Sequence, residues 1–212
     1  MTAQGTDRYQ VHRGQAILAA ASVFSEKGFH GATTKDIAQR LGIKQGSLYY
    51  YFRSKEEALE EVCLFGIRDY VHRLDEIADS DQPFEAKLLS VLTSHLSSYR
   101  EKNEALKVHN DERLYLSPAK RTRLKELGTH YRETLERMFE EGVADGTLRE
   151  SLDCHFAAQS VIGLCNAWGE VIVRDPALDV FAIIRKCADL LLTGFRERRS
   201  TASRDDESDR IS

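Results

Sequence analysis

The stretch TTKDIAQRLGIKQGSLYYYF, from Thr33 to Phe52, constrains the fold more than any other part of the chain. Thr33-Thr34-Lys35-Asp36 has the form of a capping box, in which a Thr hydroxyl and an acidic side chain satisfy free amides at a helix start. Ile37, Ala38 and Leu41 then make a narrow apolar face. Gly42 permits a tight turn, and Ile43 packs into it. Leu48 and Phe52, four residues apart, bury a second helix against the first. A second capping pattern, Ser54-Lys55-Glu56-Glu57, starts a long helix.

Two short helices joined by a glycine turn suit insertion into a DNA major groove. The second carries Lys44, Gln45, Ser47, Tyr49, Tyr50 and Tyr51. Successive helical residues diverge by about 100°, so three consecutive rings cannot all face one core and at least one or two are exposed. Gln bonds adenine through two contacts, Tyr rings pack on thymine methyls, and Tyr hydroxyls reach phosphates. Lys55, at the next helix start, is placed to meet a phosphate beside amides that favour anions. The competing reading, a helical hairpin with three ordinary core tyrosines, accounts less well for rings clustered near Lys44 and Lys55.

Helical periodicity continues along the chain, and no alternating strand pattern runs beyond a few residues. Nine helices are expected: Val11–Lys27, stopped by Gly28; Thr34–Leu41; Gln45–Phe52; a long helix from Ser54 to about Ala78; Phe84–Lys102; Ala105–Leu116; Ala119–Gly142; Asp153–Arg174; and Leu178–Arg198. The three prolines, Pro83, Pro118 and Pro176, all fall at boundaries. An all-α fold follows. The most apolar stretch, Phe156 to Val173, is interrupted by Gln159, Asn166 and Glu170, and no apolar run approaches the ~20 residues of a membrane span. The opening residues lack an apolar secretory core. A soluble cytoplasmic protein is expected, with no membrane partner.

Net charge is -4, but residues 1–60 carry +2 and the remainder -6. A mildly basic head on an acidic body suits a local nucleic-acid module better than a general basic coat. Cys63, Cys154, Cys165 and Cys187 are far apart, without a CxxC pair, and read as reduced, mostly packed thiols.

The segment from Val11 to about Leu64 resembles the N-terminal domain of the TetR family of one-component transcriptional regulators. The resemblance is carried by FSEKGFHGATT, DIAQRLGI, GSLYYYF and SKEEAL in that order. It implies a helix-turn-helix domain over residues 8–56 and a ligand-binding and dimerisation bundle over 57–199; residues 200–212, by their charged composition, are expected to be a disordered tail. It also implies operator-facing positions at Thr33, Thr34, Lys44, Gln45, Ser47, Tyr49, Tyr50, Tyr51 and Lys55. The expected partners are a double-stranded DNA operator, a second copy of the chain and a small-molecule effector.

Beyond residue 60 there is no HExxH, GxSxG, P-loop or Rossmann glycine pattern, so neither catalysis nor a cofactor is expected. His72, His95, His109 and His130 lie on different expected helices. Ordinary surface or pocket histidines account for them better than a metal site does. An effector chamber would draw on Phe65, Leu92, His95, Tyr99, His109, Arg113, Arg121, Tyr131 and Trp168. Arg113, Lys120, Arg121, Arg123 and Lys125 gather cations around the helix start at Ser117-Pro118. A solvated helix face explains them as well as a phosphate site does. This stretch resembles the subset of TetR-like regulators that answer to acyl-CoA thioesters, and the effector reading leans there. The alternatives are a drug-like or redox trigger, and a helical binding protein or enzyme without DNA. In the last two helices, two stripes read as an association surface. One is Ala157, Val161, Leu164, Cys165 and Trp168. The other is Phe181, Ile184, Cys187, Ala188, Leu191 and Phe195.

Overall fold

The structure is a computed structural model that describes residues 3–196. The expected tail at 200–212, and the end of the expected ninth helix, lie outside the described residues.

Nine α-helices and no strand occur among the described residues. They are α1 (Ala3–Gly31), α2 (Thr34–Leu41), α3 (Gln45–Leu48), α4 (Lys55–Ala78), α5 (Phe84–Glu101), α6 (Asn103–Glu112), α7 (Pro118–Ala144), α8 (Cys154–Arg174) and α9 (Val180–Phe195). A single 3-10 turn, Arg113–Tyr115, joins α6 to α7.

Local chemistry sets most of the boundaries. Gly28 does break α1, at φ 68°, but a further helical turn follows it to Gly31, past the expected stop. Thr33 caps α2 as a complete capping box: its hydroxyl accepts from the Asp36 N–H, and Asp36 accepts from the Thr33 N–H at 2.9 Å. Gly42 closes α2 in the left-handed conformation at φ 74°. Ser54 caps α4 by accepting from the Glu57 N–H, but the Glu57 carboxylate reaches back to the Arg53 N–H at 2.7 Å rather than to Ser54. Asp153 and Asp179 cap α8 and α9 in the same way as Ser54.

The third helix is shorter than its pattern suggests. It ends at Leu48, and Tyr49–Tyr51 form a turn. Tyr51 turns back to lie parallel to the Tyr9 ring of α1, centroids 6.2 Å apart. Phe52 is buried beside Leu48, Ile37 and Phe24 in the core of the head.

The body packs α4 against α5, α6 and α7, with α8 against α5 and α7 and α9 against α5. Phe84, Phe139 and Phe195 close one end of this core, with centroids 5.3 Å and 5.1 Å apart in sequence. One expectation needs correcting here. Helix α8 is long and apolar enough, with a mean hydropathy of 1.3, to span a membrane by length and composition. Its two faces explain that. Ala157, Ala158, Val161, Cys165 and Ile172 face inward, while Phe156 and Val171 remain exposed.

Head and body meet at a hydrogen-bonded joint. The Phe29 N–H, just after the Gly28 break, donates to Glu112 Oε2 at the end of α6 at 2.9 Å. Lys107 donates to the Ser25 carbonyl at 3.0 Å, and the Ser117 N–H donates to Glu56 at 2.8 Å. Tyr115 lies parallel to Phe29 with centroids 6.0 Å apart.

Candidate DNA interface and effector site

On the head, α2 and α3 present a continuous polar face. Thr33, Lys44, Gln45, Ser47, Tyr49 and Tyr50 are exposed, and Thr34 is half-buried. Tyr50 is the extreme case at 83% exposure, and Tyr49 follows at 55%. An apolar ring left this open in a folded head is poorly explained by packing. Gln45 Nε2 donates to Thr34 Oγ1 at 3.1 Å, which ties the two helix starts together and orients the Gln45 amide. Two positions depart from the sequence reading. Tyr51 is half-buried against Tyr9, a residue that reading passed over. Lys55 donates to the carbonyls of Phe29 at 2.7 Å and Ala32 at 2.9 Å and sits 4.4 Å from the Phe29 ring centroid. Its ammonium caps the C-terminal end of α1, where a cation complements free carbonyls. At most one of its three N–H groups is left for a phosphate.

In the body, the expected effector residues divide. His95, Tyr99 and Tyr131 converge, and Tyr70 of α4 joins them. The His95 and Tyr70 rings stack at 4.4 Å, and Tyr131 stands edge-on to both at 5.5 Å and 5.3 Å. His95 Nδ1 and the Tyr131 hydroxyl are 3.0 Å apart, and Tyr99 donates to Asn166 Oδ1 of α8 at 3.2 Å. Burial pushes the His95 imidazole down to about 4, so the ring is neutral near pH 7. Burial, helped by the Arg113 charge, does the same to His109, also to about 4. Burial raises Tyr70, Tyr99 and Tyr131 above the usual phenol range, so all three hydroxyls keep their protons.

Tyr70 and Asn166 were missed in the sequence. Tyr70 was readable there, because it lies on an inward stripe with Cys63, Ile67 and Leu74 at helical spacing. Leu92 is buried core, and Trp168 is half-buried against it. Phe65 lies apart from the cluster under Lys102, whose ammonium is 4.2 Å from its ring centroid.

The cation cluster is largely spent within the fold. Lys120 and Arg123 both pair with Glu60, whose side chain is buried, at 2.5 Å and 3.5 Å. Arg113 turns back onto the His109 and Asn110 carbonyls at 3.0 Å and 2.5 Å. Arg121 is half-buried, and its Nε meets no partner among the described residues. His130 pairs with Asp75 at 2.7 Å while His95 lies in the core, so the four histidines do not converge. All four cysteines are free, with Cys63, Cys165 and Cys187 buried.

The association stripes also shift. Ala157, Val161, Cys165, Ile184, Cys187, Ala188, Leu191 and Phe195 are buried within the subunit. The open apolar positions on these helices are Phe156 at 70%, Phe181 at 64% and Leu190 at 65%. A Cβ at Gly163 or Gly194 would meet nothing within 4 Å.

The family model for bacterial regulatory proteins of the tetR family matches residues 16–62, and that for the tetracyclin repressor-like C-terminal domain matches residues 81–195. The chain belongs to the TetR family. Its helix-turn-helix is the DNA-binding element of a transcriptional regulator. Among relatives, the HTH-type transcriptional repressor KstR2 of Rhodococcus jostii is 33% identical over 146 residues, covering 68% of this chain and 72% of its own. The fatty acid metabolism regulator protein of Bacillus subtilis is 25% identical over 188 residues, covering 87% and 95%. Among solved structures, the transcriptional regulator FadR from Bacillus subtilis, in complex with stearoyl-CoA, superposes with a TM-score of 0.73 at 26% identity, covering 86% of this chain and 98% of that one. The TetR family regulator PfmR from Thermus thermophilus gives 0.78 at 25% identity, covering 86% and 99%.

Proposed function

We propose that this TetR-family regulator is a homodimeric repressor that leaves a palindromic operator when a small molecule, an acyl-CoA thioester, enters the body. The observation that carries the DNA reading is the exposed Tyr49–Tyr50 pair beside Gln45, Ser47 and Lys44. Gln45, Tyr49 and Tyr50 read base edges, while Thr33, Thr34, Ser47 and Lys44 hold the backbone; Tyr51 and Lys55 shape the head from behind.

Symmetry comes from α8 and α9. Phe156, Phe181 and Leu190 leave apolar surface that a second copy covers, and Gly163 and Gly194 allow close helix approach. A dimer then sets two α3 helices about one DNA turn apart, ~34 Å. Leu190→Arg is expected to give a monomer by light scattering that binds operator at least about tenfold more weakly. A Leu190→Arg dimer of unchanged affinity would place the interface elsewhere.

The thioester reading rests on two supports. FadR, the structure solved with stearoyl-CoA, shares this fold along nearly its whole length. Arg113 and Arg121 border the body with charge that Glu60 does not absorb. Ligand in the body moves α6 and α4, and the Phe29–Glu112 and Lys55 contacts pass that motion to the head. The ligand acts only through its preference for the released state.

The operator is first selected from random duplexes and labelled, and affinity is then read by fluorescence anisotropy. Tyr50→Ala and Gln45→Ala should each weaken specific binding about tenfold to hundredfold, because a good base contact is worth about 1–3 kcal/mol. Lys44→Ala should weaken all sequences alike and lower the salt slope by about one. If all three bind as the parent does, the reading face is misassigned. Failure of every CoA thioester to release operator would remove the thioester reading and leave the DNA reading standing.

A further inference from the structure

The core of the body contains more polar chemistry than an alkyl chain can use. His95 is only 2% exposed, and no group among the described residues comes within hydrogen-bond distance of its Nε2, although the Asn166 side chain lies close enough to the ring to favour its protonated form. The ring is fixed on every side: Tyr70 covers one face, Tyr99 lies parallel at 6.1 Å, and Nδ1 is engaged with the Tyr131 hydroxyl. A neutral imidazole offers one donor and one acceptor. Whichever role Nδ1 takes with Tyr131, Nε2 holds the other and has no partner at hydrogen-bond distance. His109 repeats the pattern on α6, with Nδ1 buried and unpartnered. The Arg113 charge is felt at Tyr70, Tyr99 and His109, so these groups border one region between α4, α5 and α6.

Leaving buried polar atoms unpaired forfeits their hydration without replacement, which is why such atoms are rare. A side chain kept solely for packing would be better served here by Phe, which would also stack on Tyr70.

We infer that the deep end of the effector site reads an oxygen, so that the effector is a thioester whose acyl group carries a keto or hydroxyl function remote from the thioester. His95 Nε2 is the reading atom, and Tyr70 and Tyr99 are the flanking walls. This rests on the acyl-CoA reading above and narrows it. A saturated chain at this depth would desolvate Nε2 and offer it nothing. An oxygen completes the pair, and a site built for a hydrogen bond rejects ligands that lack it.

The test uses dodecanoyl- and hexadecanoyl-CoA, their ω-hydroxy and (ω-1)-keto counterparts, and the same acids without CoA. Release of labelled operator is read from the full chain. The oxygenated thioesters should act at concentrations at least about tenfold below their saturated partners. His95→Phe, which keeps the stacked ring, should remove that advantage, with folding followed by circular dichroism. Should His95→Phe disturb folding, His95→Gln offers a second variant that keeps a polar tip, and it should retain part of the advantage.

Saturated thioesters equal to oxygenated ones in the parent protein would overturn the inference and spare the thioester reading. An oxygen advantage that survives in His95→Phe would overturn the assignment of His95. Oxygenated acids that act in a His95-dependent way where no thioester does would support the oxygen site and sink the thioester.

Discussion

Between pH 6.5 and pH 5 the free protein is expected to lose about 3 kcal/mol of folding stability in all, from two histidines. His95 and His109 ionise near 6.5 when unfolded and at about 4 when folded. Through that window the unfolded chain goes from half to nearly full protonation at both rings, while the folded rings stay almost entirely neutral. Each contributes up to about 1.4 kcal/mol per pH unit, a slope approached only below pH 6, so stability falls as pH falls and is nearly flat above neutrality. A loss of this size is a large share of the 5–15 kcal/mol that ordinarily holds a domain together. Carboxylates add their own loss only lower down. Asp36, held at about 2 by Lys27 and Thr33, gives up its contribution between its ordinary 3.8 and that value. Urea unfolding followed by circular dichroism at pH 8, 7, 6 and 5 measures the slope. His95→Phe should roughly halve it, whatever it does to stability at pH 8. A slope indifferent to His95→Phe would mean that the folded ring takes the proton as readily as the unfolded one, against the neutral imidazole that burial dictates.

The helix starts were legible because each is written in adjacent residues: Thr33 with Asp36, Ser54 with Glu57, Asp153 before Cys154. The end of α3 was not. Tyr49–Tyr51 continue a helical pattern, and the turn there accompanies Tyr51 packing on Tyr9, forty-two residues earlier. Lys55 misled for a similar reason. Its place beside the motif suggests a phosphate contact, whereas the carbonyls that hold it belong to the end of α1. The cation run from Arg113 to Lys125 reads as one charge cluster until Glu60 is brought against it from α4. In α8 and α9 both faces are apolar, so periodicity finds the helix without telling the core stripe from the open one. Cys165 and Leu191 were placed outward and lie inward, while Phe156 and Leu190 are the exposed rings and branches. In each case the local interaction was visible and the long-range partner was not.

Gly169→Ala is expected to destabilise the body by about 3 kcal/mol, the upper end of what an added methyl costs in a packed core. A Cβ on Gly169 would lie 2.2 Å from Cε2 of Tyr99 and 2.3 Å from its Cζ. Contacts that short cannot persist, so the ring or the helix must move. The ring has little freedom: Tyr99 is buried, lies parallel to His95, and donates to Asn166 one turn before Gly169. The same substitution therefore strains the wall of the proposed oxygen site. For a chain of this size, about 3 kcal/mol lowers Tm by roughly 6–12 °C. The control is the pair of Gly169→Ala with Tyr99→Leu. Tyr99→Leu alone should also destabilise, by leaving a gap and an unpaired Asn166, but the smaller side chain makes room for the methyl. The double variant should then be more stable than the sum of the two singles by at least about 1 kcal/mol, as residues in direct contact couple. Strict additivity would show that Gly169 is demanded by α8 itself, and that Tyr99 is free to yield when a ligand arrives.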